Sequence, residues 1–439
     1  MTVPGSSREI LALAIPALGA LLVEPVLLLV DSAVVGHWST DALAGLGLAQ
    51  TVLTTVVGLC VFLAYSTTAS TARAVGAGNL FRAIRSGISA IWLAVFIGVV
   101  VTVIMLVGAQ WIVVCFGTSP QVVNEAVAYL QVSSVGLPAM LVVQAATGII
   151  RGLQDTRMPL FVSSGAAVVN IPLSVWLTLG LRWGVVGAAT GTVICQYAMA
   201  VLLVGVVVGH ARRLGVGIGP DRSGVGGAWR DGLPLLVRTV MLRIALILLV
   251  VAVTRLGTVV LAANQIIMSI WGFFASGLDA LAIAAQALTG KYLGGSQAHL
   301  ARATTARMTR WAVTGGIVMA VVVGAVAVAC PAVFTPDIEV QHAIRIALVV
   351  VLVGQPLAGY VYILDGVLMG AGDTHYLAKA GVINLVGFLP VILLVIARGP
   401  TGVVGLVSVW ICWVFWYMAW RGVTLRHRIT GEQWMRLGQ

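Results

Sequence analysis

Charged side chains are scarce in this chain: Asp, Glu, Lys and Arg make up 9% of its 439 residues, against 60% apolar. A soluble domain carries about 25% charge. A water-exposed globule is therefore excluded, and a mean hydropathy of +1.07 places the chain in a bilayer. Cysteine is sparse too. Cys60, Cys115, Cys195, Cys330 and Cys412 are scattered through apolar segments without paired spacing, which argues against a disulfide framework and against a metal site. The histidines share no ligand spacing either. Long polar stretches are missing, and the longest, 209–230, is too short for a nucleotide-binding module. Any work must then come from an ion gradient or from the substrate's own gradient. The phosphate-loop resemblance of Thr289-Gly290-Lys291 fails twice, at Ala285 and at Tyr292. No enzyme signature remains, so the chain is read as a non-enzyme without cofactor. The first apolar run lacks a short core with a small-residue cleavage site, so it is expected to be a retained helix.

Twelve apolar runs reach the roughly 20 residues that span a bilayer as a helix: about 10–35, 44–70, 86–110, 122–147, 158–180, 184–208, 231–254, 259–287, 304–330, 340–366, 377–397 and 402–422. They fall into two copies related by an offset of 218 residues. Pro16 recurs as Pro234, Gly136-x-Pro138 as Gly354-x-Pro356, Gly152-x-x-Asp155-Thr156 as Gly370-x-x-Asp373-Thr374, and Gly184-Val185-Val186-Gly187 as Gly402-Val403-Val404-Gly405. Such a register predicts an all-α polytopic membrane protein. Twelve transmembrane helices form two six-helix lobes, 1–208 and 231–439, joined by a cytoplasmic linker 209–230. Two similar lobes meeting at a shared cavity are the build of secondary transporters.

The net charge of +11 would suggest nucleic acid in a soluble protein, but here the basic residues alternate with the loops. With the N-terminus inside, 19 Lys and Arg fall on one side and three, Arg182, Arg255 and Arg398, on the other. This asymmetry puts both termini in the cytoplasm of a multi-pass plasma-membrane protein. An even number of spans per copy relates the lobes by a pseudo-two-fold axis along the membrane normal. The expected partners are small molecules and membrane lipids, not nucleic acid, and the chain is read as a bacterial monomer.

Prolines 16, 25, 138, 172, 234, 356 and 390 interrupt helical runs, each removing a backbone hydrogen bond. The pattern Gly187-Ala188-Ala189-Thr190-Gly191 would let helices approach closely within a lobe. Ionisable residues within spans are costly and usually functional. Glu24 and Asp31 lie seven apart, on one helix face about 10 Å apart at 1.5 Å per residue. Two carboxyls facing one cavity can pass a proton, or hold a monovalent cation with hydroxyl and amide oxygens. At the repeat offset they correspond to Leu242 and Leu249, so this chemistry is not duplicated. The second lobe instead carries Asp279 and Asp365, with Arg238 and Arg243 in its first span. Those acids are read either as structural partners of Arg238 or as counter-charges for a cationic substrate. Trp176, Tyr197, Trp271 and Phe274 are candidate surfaces for stacking and cation–π contact.

The stretch Val30-Asp31-Ser32-Ala33-Val34-Val35-Gly36-His37, followed by Leu43-Ala44-Gly45-Leu46, resembles the first-helix motif of the multidrug and toxic compound extrusion (MATE) family, in its DinF-like branch. Arg151-Gly152-Leu153-Gln154-Asp155-Thr156-Arg157-Met158-Pro159 is similar to the family's loop after the fourth helix, and Leu364–Thr374 to its second-lobe counterpart. The resemblance covers essentially the whole chain. It implies alternating access and export of amphipathic, often cationic, compounds in exchange for protons or sodium. Its N-lobe cation site would comprise Asp31, Gln144, Asn170, Ser174 and Thr192. Relatives often have Asn at position 144 and Asp at 174, so Glu24 is an extra acid that can stand in for the missing one. The proton is the preferred coupling ion. The rival is a lipid-linked oligosaccharide flippase of the same superfamily, which calls for a basic central cavity.

Overall fold

With no water at membrane depth, backbone groups must be satisfied within the chain, and helices achieve this locally. The computed structural model describes residues 5–329, 335 and 337–438 and contains no strand among them. Cys330 and part of the expected 331–338 loop lie outside the described residues. The helices are α1 (Ser7–Gly36), α2 (Thr40–Leu59), α3 (Phe62–Gly76), α4 (Leu80–Val114), α5 (Pro120–Val135), α6 (Leu137–Gly152), α7 (Arg157–Val175), α8 (Val185–Arg213), α9 (Arg222–Thr254), α10 (Thr258–Gly294), α11 (Ala298–Ala329), α12 (Ile338–Val353), α13 (Gln355–Gly370), α14 (Thr374–Arg398), α15 (Gly402–Ile411) and α16 (Ala419–Thr430). Among the described residues, ten helical stretches are long and apolar enough to cross a membrane, or up to 12 when each of two bent pairs is taken as one span. Of the expected linker 209–230, only Leu214–Asp221 is left outside the helices, because α8 runs through Arg213 and α9 begins at Arg222.

The two bent pairs are repeat equivalents. α5 and α6 meet at 49°, α12 and α13 at 47°, at Gly136 and Gly354, with Pro138 and Pro356 opening the second helix of each pair. Proline fits a helix's first turn, where its missing N–H costs nothing, but it cannot continue the preceding ladder. The helix passing each bend also carries a matched glycine. A Cβ on Gly98 would stand 2.5 Å from Pro138 Cα, and one on Gly316 would stand 2.9 Å from the Gln355 carbonyl. The other prolines are absorbed within α1, α7, α9 and α14. π-helical turns follow Pro172 at Trp176–Gly180 and interrupt the last span at Cys412–Met418.

By contact the chain divides into two units, Ile15–Leu233 and Pro234–Gln439 with Met1–Ala14. In the first, α6 packs between α3 and α4, α2 against α5, and α8 against α6 and α7. In the second, α13 packs between α10 and α11. A buried aromatic cluster there includes Trp271, 5.9 Å from Trp410 and 6.3 Å from Trp413, and Trp413 stacked on Tyr417 at 4.8 Å. Glu9, on the lead segment of α1, belongs to this second unit. Its carboxylate accepts from Tyr292 Oη at 2.6 Å, Lys291 Nζ at 2.9 Å and the Gly5 amide at 2.8 Å.

Candidate functional site

Asp31 sits near the end of α1 and is 3% exposed. No Lys or Arg pairs with it among the described residues. Thr192 Oγ1 on α8 donates to its Oδ2 at 3.3 Å, and Asn170 Nδ2 on α7 donates to Thr192 Oγ1 at 3.3 Å. Ser174, one turn beyond Asn170, lies beside the same carboxyl without a bond of good geometry. Asp31 Oδ1, Asn170 Oδ1 and Ser174 Oγ are all buried with no hydrogen-bond partner. Leaving one such oxygen unpaired costs about 1–3 kcal/mol. Three on neighbouring side chains amount to an electronegative pocket, suited to a proton or a small cation.

The small-residue pattern on α8 brings these oxygens together. A Cβ on Gly191 would stand 2.9 Å from Ser174 Oγ, and one on Gly187 would stand 2.7 Å from the Leu177 backbone. Only glycine lets α8 press this closely on α7 and its π-helical extension. Gly184, at φ 59°, starts α8 from the left-handed region, and a Cβ there would also stand 2.8 Å from Trp38 Nε1.

Next to Asp31 is a cavity of about 80 Å3, lined among others by Glu24, Asp31, Gln50, Tyr129, Thr192 and Gln196. That is room for several waters, since one needs roughly 10–15 Å3 by this measure. Glu24 and Asp31 thus share one cavity, Glu24 being exposed and Asp31 enclosed. Gln144 is not among the residues lining this cavity, but its Nε2 donates at 3.2 Å to the carbonyl of Val57, which is, and its Oε1 is buried without a partner. Tyr129, Gln50 and Ser133 were not picked out from the sequence. Gln50, a lone amide in the apolar run of α2, and the i, i+4 pair Tyr129 and Ser133 were the available signals.

The second-lobe candidates fare differently. Asp365 is 5% exposed and is held by Arg238, through both Nε and Nη2, and by Arg421 Nη2 at 3.3 Å. Its charge is already engaged by two guanidinium groups, which corrects its reading as a counter-charge for a cationic substrate in favour of the structural pairing with Arg238. Arg421, at the end of the last expected span, is 7% exposed. Trp271 and Phe274, at 7% and 1% exposure, are core residues and not stacking surfaces, and two tryptophans of the last span, Trp410 and Trp413, lie against Trp271. Trp176 and Tyr197 remain exposed, and Tyr197 Oη donates to the Val135 carbonyl at 2.9 Å. Asp279 is half-buried on α10 and engaged by the surrounding protein.

Comparison with known proteins gives a consistent result. The MatE family model matches residues 16–176 and 234–396. Protein DETOXIFICATION 43 of Arabidopsis thaliana is 28% identical over 95% of this chain and 89% of its own length. DNA damage-inducible protein F of Escherichia coli (strain K12) is 30% identical over 65% of this chain and 63% of its own length. A mutant of the Vibrio cholerae MATE transporter VcmN has the same fold, with TM-score 0.87 and 17% identity over 98% of both chains.

Proposed function

The chain belongs to the MatE family of multidrug and toxic compound transporters, and from that premise we propose that it is an antiporter exporting amphipathic, often cationic, compounds in exchange for protons. Supporting the exchange is one observation above the rest. Asp31 is a buried carboxyl without a cationic partner, surrounded by oxygens that lack donors. A bare carboxylate in such a place gains most from a proton, which turns an acceptor into a donor for Asn170 Oδ1 or Ser174 Oγ. A sodium ion would draw on the same oxygens, but it would have only one carboxylate to balance it.

In this reading, occupancy of the Asp31 pocket and occupancy by substrate favour different states of one two-state element, so each displaces the other. The element is α1, which carries Glu24, Pro25 and Asp31 in two consecutive turns. Glu24, at the exposed part of the same cavity, is the second proton acceptor. The test is direct. An amphipathic cation added to weakly buffered purified protein should release protons, in an amount that saturates with the cation. Sodium-dependent binding without proton release would replace the proton by sodium. Binding with neither effect would remove the exchange mechanism and leave the family assignment standing.

A further inference from the structure

A cleft of about 370 Å3 opens where the start of α4 meets the short segment between α8 and α9, lined by Phe81, Arg85, Ile88, Ser89, Gly217 and Asp221 among others. The segment is pinned on both sides. Trp92 Nε1 of α4 donates to the Ile218 carbonyl at 3.0 Å, and the Val216 amide donates to the Ala211 carbonyl at 2.9 Å. Val216 is buried with Ile84, Ile88 and Val207 in one apolar cluster. The cleft is therefore a built feature of one unit.

Its surface has two characters. Arg82, Arg85, Arg212, Arg213 and Arg222 are all exposed in these stretches, and Asp221 is the acid among them. Beside them Phe81 and Ile218 are 46% and 47% exposed. Basic groups and bare apolar side chains together, at the ends of membrane spans, match a phosphate headgroup joined to acyl chains. The one ion pair in the cleft is easily exchanged. Arg85 Nη2 is 3.2 Å from Asp221 Oδ2, with the arginine side chain 61% exposed, and ion pairs this open are weak. Asp221 does not depend on Arg85, since Ser223 donates to its Oδ1 from Oγ at 2.7 Å and from the amide at 3.1 Å. The same Ser223 bonds, with Arg85, hold its carboxyl below the usual carboxylate range. Asp221 thus stays charged near neutral pH and keeps its partners when Arg85 turns away.

We infer that this cleft binds the headgroup phosphate of an anionic phospholipid, Arg85 exchanging Asp221 for the phosphate while Phe81 and Ile218 lie against the acyl chains. The segment joining the two repeats would then be fastened to the bilayer by lipid charge. This rests on the membrane setting alone and stands whichever ion drives transport.

Native mass spectrometry of the detergent-purified protein, with phosphatidylglycerol or phosphatidylcholine added, tests it. Phosphatidylglycerol should be retained preferentially. Arg85→Gln should lower its retention about fivefold, the worth of one arginine near anionic lipid, and leave phosphatidylcholine unchanged. Asp221→Asn, which frees Arg85, should raise phosphatidylglycerol retention. That arm decides the matter if Arg85→Gln fails to fold. Inorganic phosphate and glycerol phosphate at millimolar concentration should not displace the lipid. Equal retention of the two lipids, no response to either substitution, or displacement by the free anions would each overturn the assignment.

Discussion

Replacing Asp31 by Asn probes the coupling site with the smallest change of shape. The amide preserves the side-chain outline and still accepts from Thr192 through its oxygen, so the 3.3 Å bond is kept or weakened by no more than about 1 kcal/mol. Its nitrogen adds a donor where Asp31 Oδ1, Asn170 Oδ1 and Ser174 Oγ have none. The variant should therefore fold and melt at the wild-type temperature or above. What it loses is exchange. A gradient of one pH unit is worth about 1.4 kcal/mol per proton, a factor of ten. One proton exchanged per substrate thus sustains about a tenfold accumulation of a fluorescent cation in proteoliposomes, and Asp31→Asn should bring that ratio to about one. Substrate binding, measured without a gradient, should survive. Glu24→Gln, at the open part of the same cavity, should change the pH profile of transport and not abolish it. Tenfold accumulation by well-folded Asp31→Asn protein would refute the reasoning.

Other expectations can be checked independently. Gly191→Ala places a Cβ 2.9 Å from Ser174 Oγ, so it should lower stability by about 1–3 kcal/mol and impair transport together, as seen in a melting curve and an efflux assay. Asp279→Asn should weaken binding of cationic dyes more than of neutral ones, and equal losses would make Asp279 structural. The 19-to-3 asymmetry of basic residues expects the loops at 36–42, 111–121, 181–183, 255–258, 331–338 and 398–401 to face outward. In a variant lacking Cys330, the exposed Cys115 should then react with an impermeant thiol reagent on intact cells. A cysteine at Gly431, with Cys115 also removed, should not react, and the reverse pattern inverts the topology.

The helical architecture was legible because bilayer burial ties hydropathy to span length, and the 218-residue repeat carries its structural marks in Gly and Pro. Gly136-x-Pro138 and Gly354-x-Pro356 became matching bends, and Gly184 and Gly402 matching left-handed starts. Asp31 stood out as a charge in an apolar helix, and Asn170, Ser174 and Thr192 do gather around it. Burial direction was not legible. In a greasy sequence the hydropathy pattern does not separate lipid-facing from core-facing aromatics, so Trp271 and Phe274 looked like binding surfaces. Pairing over long separations was hidden as well. Arg421, at the end of the last apolar run, gives no sign of its partner until α16 brings it to Asp365.

Glu9 and its neighbours carry one more implication, for how such a chain can be cut. The contact boundary falls at Ala14–Ile15 in the first copy and at Leu233–Pro234 in the second, within one residue of the same place at the 218-residue offset, next to Pro16 and Pro234. Each unit therefore ends up with the other copy's lead-in, Met1–Ala14 in one case and the first turns of α9 in the other. Splitting the gene within Leu214–Asp221 would produce two fragments that each lack a piece they need and carry a piece belonging to their counterpart. A single unfused copy could complete itself only by trading lead-ins with a twin, and joining the copies in tandem makes that trade permanent. A minimal fragment meant to fold alone should begin at Ile15 and run through Leu233.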